Sequence, residues 1–175
     1  MTTEQGVLVA YASRTGTTAA IAESVAASLR LTGLDAHCCS VRDVHRMGHW
    51  GAIVLGSATH RGRWDLEMVD FLRFHPEDLA MQPLYLFETG EGVEGTRGIE
   101  RFIRPLQVRS LRSFSSRAFV PRGGRRPWRR AVHAPVDPAP PADWAREIAC
   151  DLLLRELHAD LAAWERLCDG PGRPS

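Results

Sequence analysis

At 175 residues, 44% hydrophobic and 25% charged, with a formal net charge of +1, the chain has the length of one domain and an ordinary globular composition, which excludes wholesale disorder and fibrous repeats. Its apolar runs fall short of the ~20 residues a membrane-spanning helix needs. The opening MTTEQG lacks a basic region ahead of an apolar stretch, so no signal peptide is expected, and the expected location is the cytoplasm.

Residues 7–13, VLVAYAS, form a short apolar run closed by Ser-Arg-Thr-Gly and read as a buried strand. Ile21, Val25 and Leu29 then lie four apart, the spacing of a helix, with Gly33 placed to end it. A shorter strand is expected over 36–41. A third over 52–57, AIVLGS, is apolar throughout, as a strand buried on both faces must be. A helix is expected over 66–74 before Pro76, and a strand over 84–88, LYLFE. A short helix is expected over 99–103, and a weaker fifth strand over 115–120. Residues 121–141 are rich in Pro, Gly and Arg and read as an extended loop. Asp143 is expected to cap a long helix over 143–168, with Trp144, Ile148, Leu152, Leu157, Leu161 and Trp164 at roughly helical spacing. Residues 170–175 read as a frayed tail. Strand alternating with helix means an α/β fold with a parallel sheet. Ligands in such sheets bind beyond the carboxyl ends of the strands.

All 22 basic residues are Arg, so a Lys Schiff base or Lys general base is excluded. The net charge hides a split. Residues 97–130 hold 11 Arg and one acid, Glu100, or +10, which leaves 11 Arg against 20 acids, or −9, elsewhere. The basic stretch suits an anionic substrate, an acidic membrane surface or a solvated face. Cys38, Cys39, Cys150 and Cys168 lack metal-finger or CxxC spacing and read as reduced, buried thiols. His45 and His49 are four apart, but Gly48 intervenes and no acidic ligand is near, so no metal site is expected. Gly90, Gly92 and Gly95 spell GxGxxG, but Glu91 and Glu94 inside it oppose a pyrophosphate. No catalytic residue emerges from the spacing.

The first strand runs into Ser13-Arg14-Thr15-Gly16-Thr17-Thr18 and then a helix. Hydroxyls and backbone N–H groups at a helix N-terminus favour an anion. The loop lacks the Walker-type Lys, so it suits a single phosphate held by hydrogen bonds. On this motif, with Val9-Ala10-Tyr11-Ala12 before it and Ile21-Ala22 and Val25-Ala26 after it, the sequence resembles the flavodoxin family. That resemblance implies one domain over 1–175. Its fold would be a flavodoxin-like three-layer sandwich, a five-stranded parallel sheet in the order 2-1-3-4-5 with helices on both faces. FMN is the implied cofactor, its phosphate on Ser13, Arg14, Thr15, Gly16, Thr17 and Thr18. The next loop, Ser57, Ala58, Thr59, His60, Arg61, Gly62 and Trp64, would flank one side of the ring. Trp64 is either a flat cover for that ring or a core residue opening the next helix. His60 lies near the ring or faces solvent. Thr89, Gly90, Glu91 and Gly92 would address the ring edge, although Glu88, Glu91 and Glu94 bring three carboxylates where the family usually has an aromatic residue.

Gly56-Ser57-Ala58 with Gly62, Met68-Val69-Asp70-Phe71-Leu72 and Asp143-Trp144 are similar to the menaquinone-dependent protoporphyrinogen oxidase branch. The leading expectation is therefore an FMN-dependent oxidoreductase acting on a small, anionic redox substrate. A flavodoxin-type electron-transfer protein and a repurposed fold without FMN, acting through a protein partner, are the alternatives. A redox partner protein or a quinone would be the electron acceptor. A homodimer through the C-terminal helix is a further expectation. Neither nucleic acid nor a transmembrane segment is expected.

Overall fold

Alternate residues of the first apolar run divide between two cores. Val7 and Val9 point to one face of a sheet, Leu8 and Ala10 to the other, and all four are buried. This strand, β1 (Val7–Ala12), lies in the middle of a sheet in the computed structural model, which describes residues 6–90, 98–115 and 139–168. The chain continues through α1 (Thr17–Leu31), β2 (Ala36–Ser40), a 3-10 turn (Val41–Asp43), β3 (Ala52–His60), β4 (Arg63–Trp64) and α2 (Leu66–Phe74). Then come α3 (Pro76–Ala80), β5 (Leu84–Gly90), α4 (Glu100–Ile103), β6 (Val108–Ser115) and α5 (Ala139–Cys168). The five long strands pair in parallel in the order β2-β1-β3-β5-β6, the expected 2-1-3-4-5. The two-residue β4, unforeseen in the sequence, pairs antiparallel with the end of β3.

Ile21, Val25 and Leu29 of α1 face the core, as their spacing requires. The helix closes as expected at Gly33, whose φ of 91° places it in the left-handed region. The Gly33 N–H donates to the Arg30 carbonyl and the Leu34 N–H to the Leu29 carbonyl, a Schellman closure. On this face α1 and α5 cover Val54, Tyr85 and Phe87, while α2 with Met68 and Leu72 covers Ile53, Leu55 and Leu86 on the other.

Three expectations need correction. The fifth strand is β6, Val108–Ser115, rather than 115–120; residues 116–120 lie outside the described set. As an edge strand, β6 buries little and carries Arg109 and Arg112, so it lacks an apolar signature. The long helix begins at Ala139 rather than after Asp143, because Pro140 and Pro141 fall in its first turn, where no N–H is required. Asp143 lies inside the helix and pairs with Arg146. The thiols are not all buried: Cys38 and Cys39 on β2 are half-buried and Cys150 is exposed on α5. Burial, then Glu23 beside it, pushes the Cys38 thiol up to about 12, so it stays protonated at neutral pH.

Among the described residues, two of the eleven arginines of 97–130 meet acids of α5. Arg109 grips Asp151 of α5 with two hydrogen bonds of 3.1 and 2.9 Å, and Arg112 reaches Glu147 at 2.5 Å. The buried Tyr85 hydroxyl donates to the same Asp151 at 2.6 Å. Arg109 and then the Tyr85 hydroxyl hold Asp151 below the usual carboxylate range. Burial, followed by the Asp151 hydrogen bond, pushes the Tyr85 hydroxyl up.

A carboxylate with a depressed folded pKa stabilises the fold above its unfolded value near pH 4, and this stability is lost as pH falls through the folded value. Asp151→Asn should therefore cost about 1 kcal/mol at neutral pH, the group being partly solvent-screened. It should also flatten the fall in stability below about pH 4, as read from urea midpoints across an acid series. An unchanged acid limb in the variant would count against this linkage.

Candidate functional site

The carboxyl ends of β1, β3 and β5 surround a cavity of about 900 Å³, within the range of small-molecule and cofactor sites. Arg14, Thr15 and Thr17 line it from the loop after β1, residues 58–64 from the β3–β4 hairpin, Asp65 and Leu66 from the start of α2, and Thr89 and Gly90 from the end of β5. The chain leaves β1 toward β2 on one side and returns in β3 on the other, so the cavity opens at the topological switch point.

The loop after β1 is built to leave a helix end open. Gly16 takes a φ of 88° and no side chain caps α1. Ser13 Oγ instead accepts the Gly16 N–H at 3.1 Å, closing the loop on itself. The first-turn N–H groups of a 15-residue helix, with Thr15 and Thr17 beside them, therefore border the cavity without a side-chain cap. Arg14 spans from this loop to Asp65, Nε to Oδ2 at 2.8 Å. Asp65 is nearly buried and also caps α2 through the Glu67 N–H.

The hairpin is a tight two-residue turn. Thr59 pairs with Trp64 and His60 with Arg63, leaving Arg61 and Gly62 at φ values of 52° and 73°. Positive φ at both positions matches the twist of the flanking strands. Its base is held by Ser57, whose fully buried hydroxyl accepts the Asp65 N–H at 3.0 Å. Thr89 ties the loops together. Its hydroxyl lies 2.7 Å from that of Thr18, and its carbonyl accepts from Thr59 Oγ1 at 3.1 Å. Gly90 leaves room for that contact: a Cβ there would lie 2.0 Å from Thr59 Oγ1.

The match of residues 8–102 to the flavodoxin-domain model decides the family. The chain belongs to the flavodoxin-domain family. Membership supports a flavin-binding redox protein. No curated protein matches the chain in sequence. Among solved structures, a flavodoxin from the domain Archaea is 21% identical with a TM-score of 0.61, covering 85% of this chain and 99% of its own. Oxidised flavodoxin 1 from Bacillus cereus is 14% identical, TM-score 0.60, covering 83% and 97%. Rubredoxin oxygen:oxidoreductase from Desulfovibrio gigas is 16% identical, TM-score 0.61, covering 86% of this chain and 37% of its own. At these identities the likeness is one of fold.

The flavodoxin-domain cavity collects most of the residues singled out in the sequence: Arg14, Thr15, Thr17, Ala58, Thr59, His60, Arg61, Gly62, Trp64, Thr89 and Gly90 line it. Ser13, Gly16, Thr18 and Ser57 stand behind that lining as supports, their groups engaged in the loop contacts above. Glu91 and Gly92 lie outside the described residues, as does Glu94. Trp64 is only 3% exposed, and its indole N–H donates to Glu88 Oε2 at 3.3 Å, which makes it a core residue at the cavity wall. Glu88 is buried behind it and also accepts from Ser113 Oγ at 2.6 Å, so the carboxylate counted among the cavity's negative charges is taken up inside the fold.

Asp65 and Leu66 were missed as lining residues, while Arg63 lies in the expected flanking loop. The signal for Asp65 was present, since an Asp directly before an apolar helical run is a cap. His49 packs on Trp50 at 4.5 Å between ring centroids. Among the described residues no group of three or more His, Cys, Asp or Glu is placed to hold a metal ion, and none of their helices is long and apolar enough to cross a membrane.

Proposed function

We infer that the chain is an FMN-dependent oxidoreductase that acts on a small anionic substrate. The observation that carries this reading is the uncapped N-terminus of α1, flanked by Thr15 and Thr17, opening into a 900 Å³ cavity at the switch point. These groups fit a cofactor with one phosphate and a large planar ring. Bound there, FMN would supply two-electron or single-electron exchange between a reduced donor and an acceptor.

The chain's own residues bind and orient. The Thr15 and Thr17 hydroxyls, with the first-turn N–H groups of α1, hold the phosphate. Thr89 fixes the relative position of the loops around the ring, and Gly90 keeps the backbone close to Thr59. Arg61 and Arg63 are exposed at the mouth and, among the described residues, form no ion pair. They give the cavity a cationic rim that favours a carboxylated substrate. The similarity to the protoporphyrinogen oxidase branch makes a porphyrinogen one such substrate.

A visible absorption spectrum, taken before and after FMN addition and desalting, tests the cofactor. A retained flavin spectrum is expected. Thr15→Ala should weaken FMN binding roughly tenfold or more, the loss of one hydrogen bond to a charged group, as measured by flavin fluorescence titration. A colourless protein that fails to hold added FMN would overturn the reading. An electron shuttle working through an acidic partner is the second reading, favoured by the same cationic rim. It predicts electron transfer that slows steeply with added salt.

A further inference from the structure

The helix α5 carries apolar residues on two opposite faces. The inner stripe, Pro141, Trp144, Ala145, Ile148 and Ala149, is buried against the rest of the fold. The outer stripe begins at Cys150 and continues through Leu154, Leu157, Leu161 and Trp164. At about 100° per residue, the two stripes point roughly half a turn apart. Ala149 is the last buried residue of α5 among those described, yet the helix runs on to Cys168. Leu152, one turn on and partly buried, is the last apolar residue of α5 packed on the core among those described, which leaves roughly 24 Å of helix beyond the inner contact, at 1.5 Å per residue.

The spacing of the outer stripe is four, three, four, three. A strict 3.5-residue period is the seam of a two-stranded left-handed coil, whereas packing on a sheet needs no such regularity. The seam is fully offered to solvent: Leu154, Leu157, Leu161 and Trp164 expose 54% to 67% of their surface, and Leu153 beside them 50%. Five large apolar side chains so exposed present on the order of 500 Å² per copy, and two copies reach the ~1,000 Å² lower bound of a specific interface. Charge argues against an anionic membrane as the occupant. Asp151, Glu156, Asp160 and Glu165 outnumber Arg155 and Arg166 along the same stretch.

We propose that this outer face of α5 pairs with the same face of a second copy of the chain, as an antiparallel helix pair. The seam is self-complementary about position 159. In that arrangement Leu157 faces Leu161 of the second copy and Leu154 faces its Trp164, so each layer joins one a-type and one d-type position. A two-fold axis at the centre satisfies both copies at once. The inference stands independently of the flavin reading, and its readouts are mass and cross-linking rather than activity.

Sedimentation velocity on the full chain should show a dimer at micromolar concentration. Leu157→Glu with Leu161→Glu should raise the dimer dissociation constant at least about a hundredfold while leaving far-UV helix content unchanged, because neither side chain contacts the core. Orientation is tested by cysteine pairs in a background carrying Cys38→Ser, Cys39→Ser, Cys150→Ser and Cys168→Ser. Leu154→Cys and Trp164→Cys proteins should form disulfide-linked dimers when mixed, and neither should do so alone. A wild-type chain that remains monomeric at ~100 μM, far above the range of stable dimers, would overturn the proposal. So would a Glu variant that still dimerises, and cross-linking of each single cysteine protein with itself would show a parallel pair and overturn the arrangement.

Discussion

Trp144→Ala is expected to lower folding stability by about 3–5 kcal/mol, the range for deleting a buried large aromatic side chain. Trp144 is 2% exposed and is the main wedge between α5 and the sheet. Its ring meets Phe87 and Phe114 edge to face at centroid distances of 5.9 and 5.8 Å, and these two rings meet each other at 5.8 Å. Its indole N–H donates to Ser110 Oγ at 3.0 Å, which joins α5 to the edge strand β6. Removing the ring opens a cavity that neither Phe can fill without leaving its partner, and it strips the largest docking contact from a helix held otherwise by Ile148, Leu152, small residues and the Asp151 and Glu147 ion pairs. Urea unfolding followed by far-UV circular dichroism measures the loss. Trp144→Phe should recover more than half of it, since ring volume returns while the hydrogen bond does not. A loss under about 1 kcal/mol for Trp144→Ala, typical of a surface site, would mean that this cluster does not anchor the helix.

Gly56→Ala should destabilise the fold by about 3 kcal/mol, at the upper end for overpacking a core. A Cβ at Gly56 would lie 2.0 Å from Phe87 Cζ, with Cε1 and Cε2 of the same ring at 2.3 and 2.7 Å. Gly56 and Phe87 are paired neighbours on β3 and β5, and the tip of the phenyl ring occupies the space a Cβ would need. Phe87 is fully buried between Phe114 and Trp144, so the ring cannot swing aside without disturbing both. The strain also reaches the cavity, because the next residue, Ser57, holds the base of the hairpin. Gly56→Ala combined with Phe87→Leu should be more stable than the sum of the two single losses, as residues in contact are not additive. Strict additivity in that cycle would show that the ring is not what opposes the methyl group.

The strands β1, β3 and β5 were legible in the sequence because they lie in the middle of a parallel sheet. Covered on both faces, they read as unbroken apolar runs such as AIVLGS. The α1 stripe and its Gly33 closure were legible because both are local: a 3.6-residue period and one left-handed residue need no tertiary partner. The edge strand β6 was displaced in the reading, since its Arg109 and Arg112 look like loop residues until α5 is placed beside them. The start of α5 was hidden by two prolines that a first turn tolerates.

The candidate site was legible as segments and less so as roles. Loops after β1, β3 and β5 were singled out because ligands in such sheets gather at the carboxyl ends of strands, and those loops do line one cavity. Which side chains face the cavity was not written locally. Trp64 became a wall residue because Glu88 takes its indole N–H from behind, and Thr18 became a brace because Thr89 lies within 2.7 Å of it.

By itself the sequence determined the α/β alternation, the hydroxyl-rich loop and the family they announce, since each rests on short-range periodicity or on a run of adjacent residues. Only the tertiary structure decided which acids Arg109 and Arg112 meet, which hydroxyls remain on the cavity and which face of α5 is left uncovered. Each of those depends on partners far apart in sequence, such as Arg109 and Asp151, brought into contact by burial of the sheet between them.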